Sequence, residues 1–148
     1  MKLTSSLEDY LKTIHILEQE KPVVRVIDIS SMMDVRMPSV IEALKNLREI
    51  GLVNYQKKAF INLTDKGKKI AESILSRHMI LMRFFAEVLG LDDSWIKNQA
   101  CMIEHSIDNE TTVRLSGLID WIERTVINQP EFSREDWTRL LKKSDIIH

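Results

Sequence analysis

The chain has almost no cysteine: Cys101 is the single one in 148 residues. One cysteine cannot form an internal disulfide, so it serves as a small buried residue, a ligand or a reactive thiol. Only three prolines and four glycines are present, and aromatic residues supply 6%. There is no low-complexity stretch and no internal repeat, which excludes linker-like and solenoid architectures. No apolar run approaches the roughly 20 residues that a membrane-spanning helix needs. The N-terminus, Met1-Lys-Leu-Thr-Ser-Ser-Leu-Glu-Asp9, turns acidic too soon for a signal peptide, so a cytoplasmic protein is expected. No Gly-rich loop, nucleophile motif or oxyanion hole is evident, which argues against an enzyme. The 44% apolar and 29% charged residues otherwise suit one domain, or two small ones sharing a core.

What is present is unevenly distributed. The net charge is −1, yet residues 36–69 hold eight basic side chains against three acidic ones, a surplus of five. From residue 71 onward the acids lead, thirteen to nine. A basic segment beside an acidic one fits a DNA-reading part joined to another part.

The apolar periodicity locates the elements. Leu7, Leu11, Ile14 and Leu17 have helical spacing, with Ser5 or Ser6 as N-cap and Pro22 as the stop. Val23–Val26 reads as a short extended piece, and Ile27–Met33 as a short helix. Pro38 suits the start of the next helix, which turns Val40, Ile41, Leu44 and Leu47 inward and ends at Gly51. Two short helices joined tightly make a helix-turn-helix. Residues 52–55 and 59–63 read as strands around Gln56-Lys57-Lys58, a hairpin with a basic tip, or wing. Thr64 caps a long helix running to about Leu89, with Gly67 a weak point near its start. Further helices are expected over 92–107, from Asp108 or Asn109 onward with Val113, Leu115, Leu118, Ile119 and Ile122 on one face, and over 133–143 behind a capping-box-like Ser133-Arg-Glu-Asp136. The fold class is therefore mostly α with a small β-hairpin: an N-terminal winged helix-turn-helix over 1–70 and a C-terminal all-helical domain over 71–148, the part to which the cluster and the resemblance described below assign metal binding and dimerisation.

The recognition helix presents Arg36, Pro38, Ser39, Glu42, Lys45, Asn46 and Arg48, and the wing presents Lys57 and Lys58. Arg36 suits guanine, Ser39 a phosphate or base edge, and Lys45 and Arg48 suit phosphate. Glu42 repels phosphate unless it accepts from a cytosine amino group or turns aside toward Lys45 or Asn46.

The densest chemistry lies in Cys101-Met-Ile-Glu-His105. In a helix, positions i, i+3 and i+4 share a face, so Cys101, Glu104 and His105 form a sulfur, oxygen and nitrogen set suited to a divalent transition metal. Three ligands leave room for one or two more, and Asp9 and His78 are the candidates. His15 and His148 are less suited.

These residues resemble the diphtheria toxin repressor and manganese transport regulator family of metal-dependent repressors, over residues 5–125. The resemblance rests on Leu7-Glu-Asp-Tyr-Leu-Lys-Thr-Ile14, Pro38-Ser-Val40, Leu63-Thr-Asp-Lys-Gly-Lys-Lys-Ile70, Arg77-His78 and Ala100-Cys-Met-Ile-Glu-His105. It implies metal ligands at Asp9, Cys101, Glu104 and His105, with His78 as a further ligand. Asp9 follows the manganese-type pattern and Cys101 the iron-type one. Lys12, Met82 and Lys97 depart from both at the second metal position. A protonated lysine has no lone pair and opposes a second cation, so about one tight ion per subunit is expected. Mn²⁺ or Fe²⁺ is the expected metal, with Zn²⁺, Co²⁺ or Ni²⁺ able to bind in vitro. The implied function is metal-activated repression of metal-homeostasis genes by a homodimer on a palindromic operator in double-stranded DNA, with no membrane partner. The dimer face is expected over 73–125, using Phe84, Phe85, Val88, Leu89, Trp95, Leu115, Leu118 and Trp121. One alternative is a winged-helix regulator that senses a small molecule or thiol redox state through Cys101. Others are a metal-dependent hydrolase and a purely structural metal.

Overall fold

The structure is a computed structural model describing residues 3–56, 60–131 and 133–142. The chain divides into two compact units, Met1–Leu75 and Ser76–His148. The division falls inside a helix, a few residues past the expected 70/71 boundary.

In the first unit, α1 (Ser5–Glu20) is capped by Thr4, not by Ser5 or Ser6. Thr4 has the extended backbone a cap requires, and its Oγ1 accepts from the Leu7 N–H at 3.4 Å. The expected stripe is inside: Leu11 and Ile14 are fully buried and Leu17 nearly so. The helix stops at Lys21, held extended ahead of Pro22. α2 (Val26–Met33) opens with the Asp28 carboxylate accepting from the Arg25 N–H at 2.8 Å. It closes on Asp34, whose φ of 53° lies in the left-handed region that Asp tolerates. α3 (Met37–Glu49) begins with Pro38 in its first turn and ends ahead of Gly51, where φ is 73°.

The wing ladder is shorter than expected. β1 (Val53–Asn54) and β2 (Asn62–Leu63) pair antiparallel, with Val53 opposite Leu63 and Asn54 opposite Asn62. Val24 bridges Ile61, giving the extended piece before α2 a partner. Lys57, Lys58 and Ala59 lie outside the described residues. Leu11, Ile14, Ile29, Val40, Leu44, Leu47, Leu52 and Val53 form the centre of this unit's core. Each such side chain is worth about 1.5–3 kcal/mol when buried.

α4 (Asp65–Arg83) starts against the wing. Thr64 Oγ1 accepts from the Gly67 N–H at 3.1 Å and donates to the Gly51 carbonyl at 2.9 Å. A Cβ on Gly67 would lie 2.1 Å from the Leu52 carbonyl oxygen. The glycine that looked like a weak point is thus required by a close backbone approach.

In the second unit, the long helix does not remain α to Leu89. Beyond Arg83 it becomes a π-helical turn, Phe84–Val88, and Gly90 (φ 62°) follows. α5 (Asp93–Glu104) is capped by Asp92 and stops three residues short of the expected end. α6 (Asn109–Ile122) is capped by Asp108, which accepts from the Thr111 N–H at 2.8 Å, and runs into a second π-helical turn, Glu123–Ile127. α7 (Arg134–Lys142) opens with the expected Ser133–Asp136 exchange: Asp136 N–H donates to Ser133 Oγ at 3.1 Å, and Oγ donates back to the carboxylate at 2.6 Å. Lys143 lies outside the described residues.

Leu81, Phe85, Ile96 and Ala100 make a second small core, and Phe85 meets Trp95 edge-on at 5.7 Å. Arg83 ties the end of α4 to that of α6, with Nη2 2.8 Å from Asp120 and Nε 3.1 Å from Glu123. Trp137 Nε1 donates to the Val88 carbonyl at 2.5 Å, and Arg134 pairs with Glu87. The expected α6 face is only partly inward. Ile119 is fully buried, but Val113 and Leu118 are exposed, as is their neighbour Trp121.

Candidate metal centre and nucleic-acid interface

The metal candidates of the second unit sit where α5 ends. Cys101 and Glu104 are on its last turn, and His105 is the residue that closes it. His105 keeps a helical backbone (φ −79°, ψ −12°), so its ring stays on the Cys101–Glu104 side even though the helix is over. One donor atom each from Cys101, Glu104 and His105 lies within 4.8 Å of the others.

Glu104 is the centre of the cluster. It is fully buried, an expensive place for a carboxylate unless it is paired. His78, on α4, approaches with Nδ1 2.5 Å from Glu104 Oε2. His105 Nε2 lies 3.6 Å from the other oxygen, Oε1. His78 thus joins the cluster through Glu104. Arg77, its neighbour in sequence, holds the end of α5: Nη1 donates to the Glu104 carbonyl at 2.9 Å and to the Ile107 carbonyl at 3.2 Å. Those are orphan carbonyls of a helix C-terminus, and a guanidinium suits them. The spacing pattern did not reveal this role, because it depends on where the end of α5 meets α4.

The donors fit a divalent ion. Bond lengths of about 2.0–2.3 Å to N, O and S ligands place the donors of one ion a few ångströms apart, and the cluster already has that spacing. A buried carboxylate between two imidazoles and beside a thiol is a mixed oxygen, nitrogen and sulfur donor set of the kind that suits a divalent cation.

Asp9 belongs to the first unit. It lies on α1, with Oδ1 3.5 Å from Lys12 Nζ one turn on.

The nucleic-acid candidates share one face. Pro38, Ser39, Glu42, Lys45 and Asn46 are all exposed on α3, opposite the buried Val40, Ala43, Leu44 and Leu47. Arg36 is exposed at the N-terminus of the helix, where base edges are read in this motif. Ile41, expected inward, is half-buried. Arg48 points elsewhere: its Nη1 donates to the Tyr55 carbonyl at 3.4 Å, toward the wing. Glu42 lies near Tyr10. Burial, and next the Glu42 charge, push the Tyr10 phenol above its ordinary value. Lys57 and Lys58 lie outside the described residues. Among the described residues, no helix is long and apolar enough to cross a membrane.

Comparison with known proteins adds to this geometry. Residues 2–60 match the model of the iron dependent repressor N-terminal DNA binding domain, and residues 64–132 match that of the iron dependent repressor metal binding and dimerisation domain. An uncharacterised HTH-type transcriptional regulator of Methanocaldococcus jannaschii is 32% identical over 115 residues, 76% of this chain and 91% of that protein. The manganese regulator SloR superposes with a TM-score of 0.71 at 29% identity, over 80% of this chain and 55% of its own. ScaR with bound Zn²⁺ superposes with a TM-score of 0.66 at 31% identity, over 78% of this chain and 54% of its own. The chain thus spans about half the length of these two solved relatives.

Proposed function

The chain belongs to the iron-dependent repressor family of transcriptional regulators, with a DNA-binding domain and a metal-binding and dimerisation domain, and from that premise we propose that it is a metal-activated repressor whose ligands are Asp9, Cys101, Glu104 and His105, with His78 as a further one. The observation that carries the proposal is the fully buried Glu104 carboxylate, held between His78 and His105 beside Cys101.

Without metal, Glu104, a Cys101 thiolate and Asp9 would bring two or three negative charges to one place, and they repel. A divalent cation, when bound, supplies the positive charge that offsets them. The residues do the rest. Arg77 fixes the end of α5, so Glu104 and His105 cannot swing apart. His78 Nδ1, 2.5 Å from Glu104 Oε2, aims that carboxylate. Asp9 carries the signal, because it lies on α1, which packs on the helix-turn-helix. An Asp9 that enters the ligand set ties the reading unit to the metal-binding unit. In a two-fold dimer this sets the separation of the recognition helices, which must meet major-groove half-sites about 34–36 Å apart. A coupling of about 1–3 kcal/mol, roughly 5–150-fold in DNA affinity, is sufficient.

Arg36, Pro38, Ser39, Glu42, Lys45 and Asn46 read the groove, while Arg48, Lys57 and Lys58 contact phosphates near the wing. Mn²⁺ or Fe²⁺ is the proposed signal. SloR is named a manganese regulator and ScaR is seen with Zn²⁺. The thiol of Cys101 draws the site toward softer ions, and the carboxylates of Asp9 and Glu104 draw it back.

The test is DNA binding by anisotropy on a palindromic operator, anaerobically, with and without Mn²⁺, Fe²⁺ and Zn²⁺. Affinity should rise about 5–150-fold with metal, and Cys101→Glu should move the ranking toward Mn²⁺. Equal affinity for DNA with and without metal would overturn the proposal. Chelation that unfolds the chain, instead of releasing DNA, would make the metal structural.

A further inference from the structure

Lys12 is not an ordinary surface lysine. Its side chain is only 13% exposed, and its ammonium lies 3.5 Å from the Asp9 carboxylate, one helical turn earlier on α1. Covering most of a lysine while keeping its charge favours a nearby carboxylate partner. Asp9 itself is about two-thirds covered, with its side chain 32% exposed. A pair so shielded is screened less than a surface pair.

The ammonium and a metal ion draw on the same carboxylate charge, so Lys12 competes with the ion for Asp9 even where the ion takes the other oxygen. A lysine ammonium beside the ligand also repels a second cation. We propose that Lys12 is a built-in competitor for Asp9: it holds the carboxylate in the metal-free chain and so raises the metal concentration at which the site fills. The inference rests on the reading of Asp9 as a ligand. It makes Lys12 a positioning residue that sets the threshold of the sensor without touching the ion.

The test is Mn²⁺ binding to the full chain without DNA, followed by the EPR signal of the free ion. Four proteins are compared: the native chain, Lys12→Met, Asp9→Asn and the double variant. Lys12→Met keeps the length of the covered side chain and removes its charge, and Lys12→Gln serves as a second version. Lys12→Met should tighten Mn²⁺ binding about two- to fivefold, the worth of one ion pair at this spacing. Asp9→Asn should weaken it. In the Asp9→Asn background, Lys12→Met should gain clearly less than in the native one, because the pair it releases is already gone. An unchanged dissociation constant in both Lys12→Met and Lys12→Gln would overturn the inference. So would an equal gain with and without Asp9, which would mean plain charge repulsion. An Asp9→Asn chain that binds Mn²⁺ as tightly as the native one would instead overturn Asp9 as a ligand, and the inference with it.

Discussion

Single residues carry more constraint here than their types suggest. Glu104 is a charged residue with no exposure, and its two oxygens face different imidazoles, His78 at 2.5 Å and His105 at 3.6 Å. Gly67 is the opposite case, a residue whose lack of side chain is what matters. Its α-carbon approaches the Leu52 carbonyl so closely that a Cβ would sit 2.1 Å from the oxygen. Backbone cannot yield as a side-chain tip can, so the start of α4 would have to move away from the wing. Gly67→Ala should therefore destabilise the chain by about 1–3 kcal/mol, read as a shift in the urea midpoint, although alanine is the better helix former. A neutral or stabilised variant would show that the approach relaxes freely.

Elements here depend on their ends. α2 is only eight residues long, too short to persist alone, and Asp28 secures its start. The carboxylate accepts from the Lys21 ammonium at 2.5 Å and from the Arg25 N–H at 2.8 Å. The Lys21 bond, and then the Arg25 one, hold the Asp28 carboxyl below its ordinary value. A carboxyl whose folded value is depressed adds stability above its unfolded value, near 3.9, and loses it as pH falls through the folded value. Asp28→Asn should accordingly lower the denaturation midpoint at pH 6 and make progressively less difference below about pH 4. A difference that stays constant from pH 6 to 3 would exclude this origin. The wing depends on a similar device. Glu18 Oε1, on α1, accepts from the Leu63 N–H of β2 at 2.8 Å, which ties a two-residue strand to the helix bearing Asp9.

At the scale of the whole molecule, the second unit carries most of the match to a dimerisation domain, residues 64–132. Val113, Leu118 and Trp121 stay on the surface of α6, between 48% and 70% exposed. We propose that these three side chains on α6 are part of the dimer interface. Phe85 and Val88, grouped with them on sequence grounds, are instead this unit's own core. Leu118→Glu with Trp121→Glu should give a monomer by light scattering that keeps its helical circular dichroism and loses operator affinity. A double variant that remains dimeric would move the interface elsewhere. The two-fold arrangement matters because one recognition helix alone reads only a half-site.

The sequence by itself determined what periodicity and composition can express. The stripes of α1 and α3, the Pro38 start, the Gly51 stop and the pairing of Val53–Asn54 with Asn62–Leu63 follow from local rules, because each depends on neighbours within a few residues. The same holds for Cys101, Glu104 and His105, whose spacing implies a shared face whether or not the helix continues through His105. Only the tertiary structure decided the rest. It showed that His78 meets Glu104, that Arg77 holds the end of α5, that Gly67 is obligatory and that Lys12 is covered beside Asp9. It also showed which apolar residues of α6 stay outside, and that α4 and α6 loosen into π-helical turns. These facts depend on which elements pack together and on which side chains they leave no room for, and hydrophobic patterning encodes that an element has an inside without encoding what it will meet there.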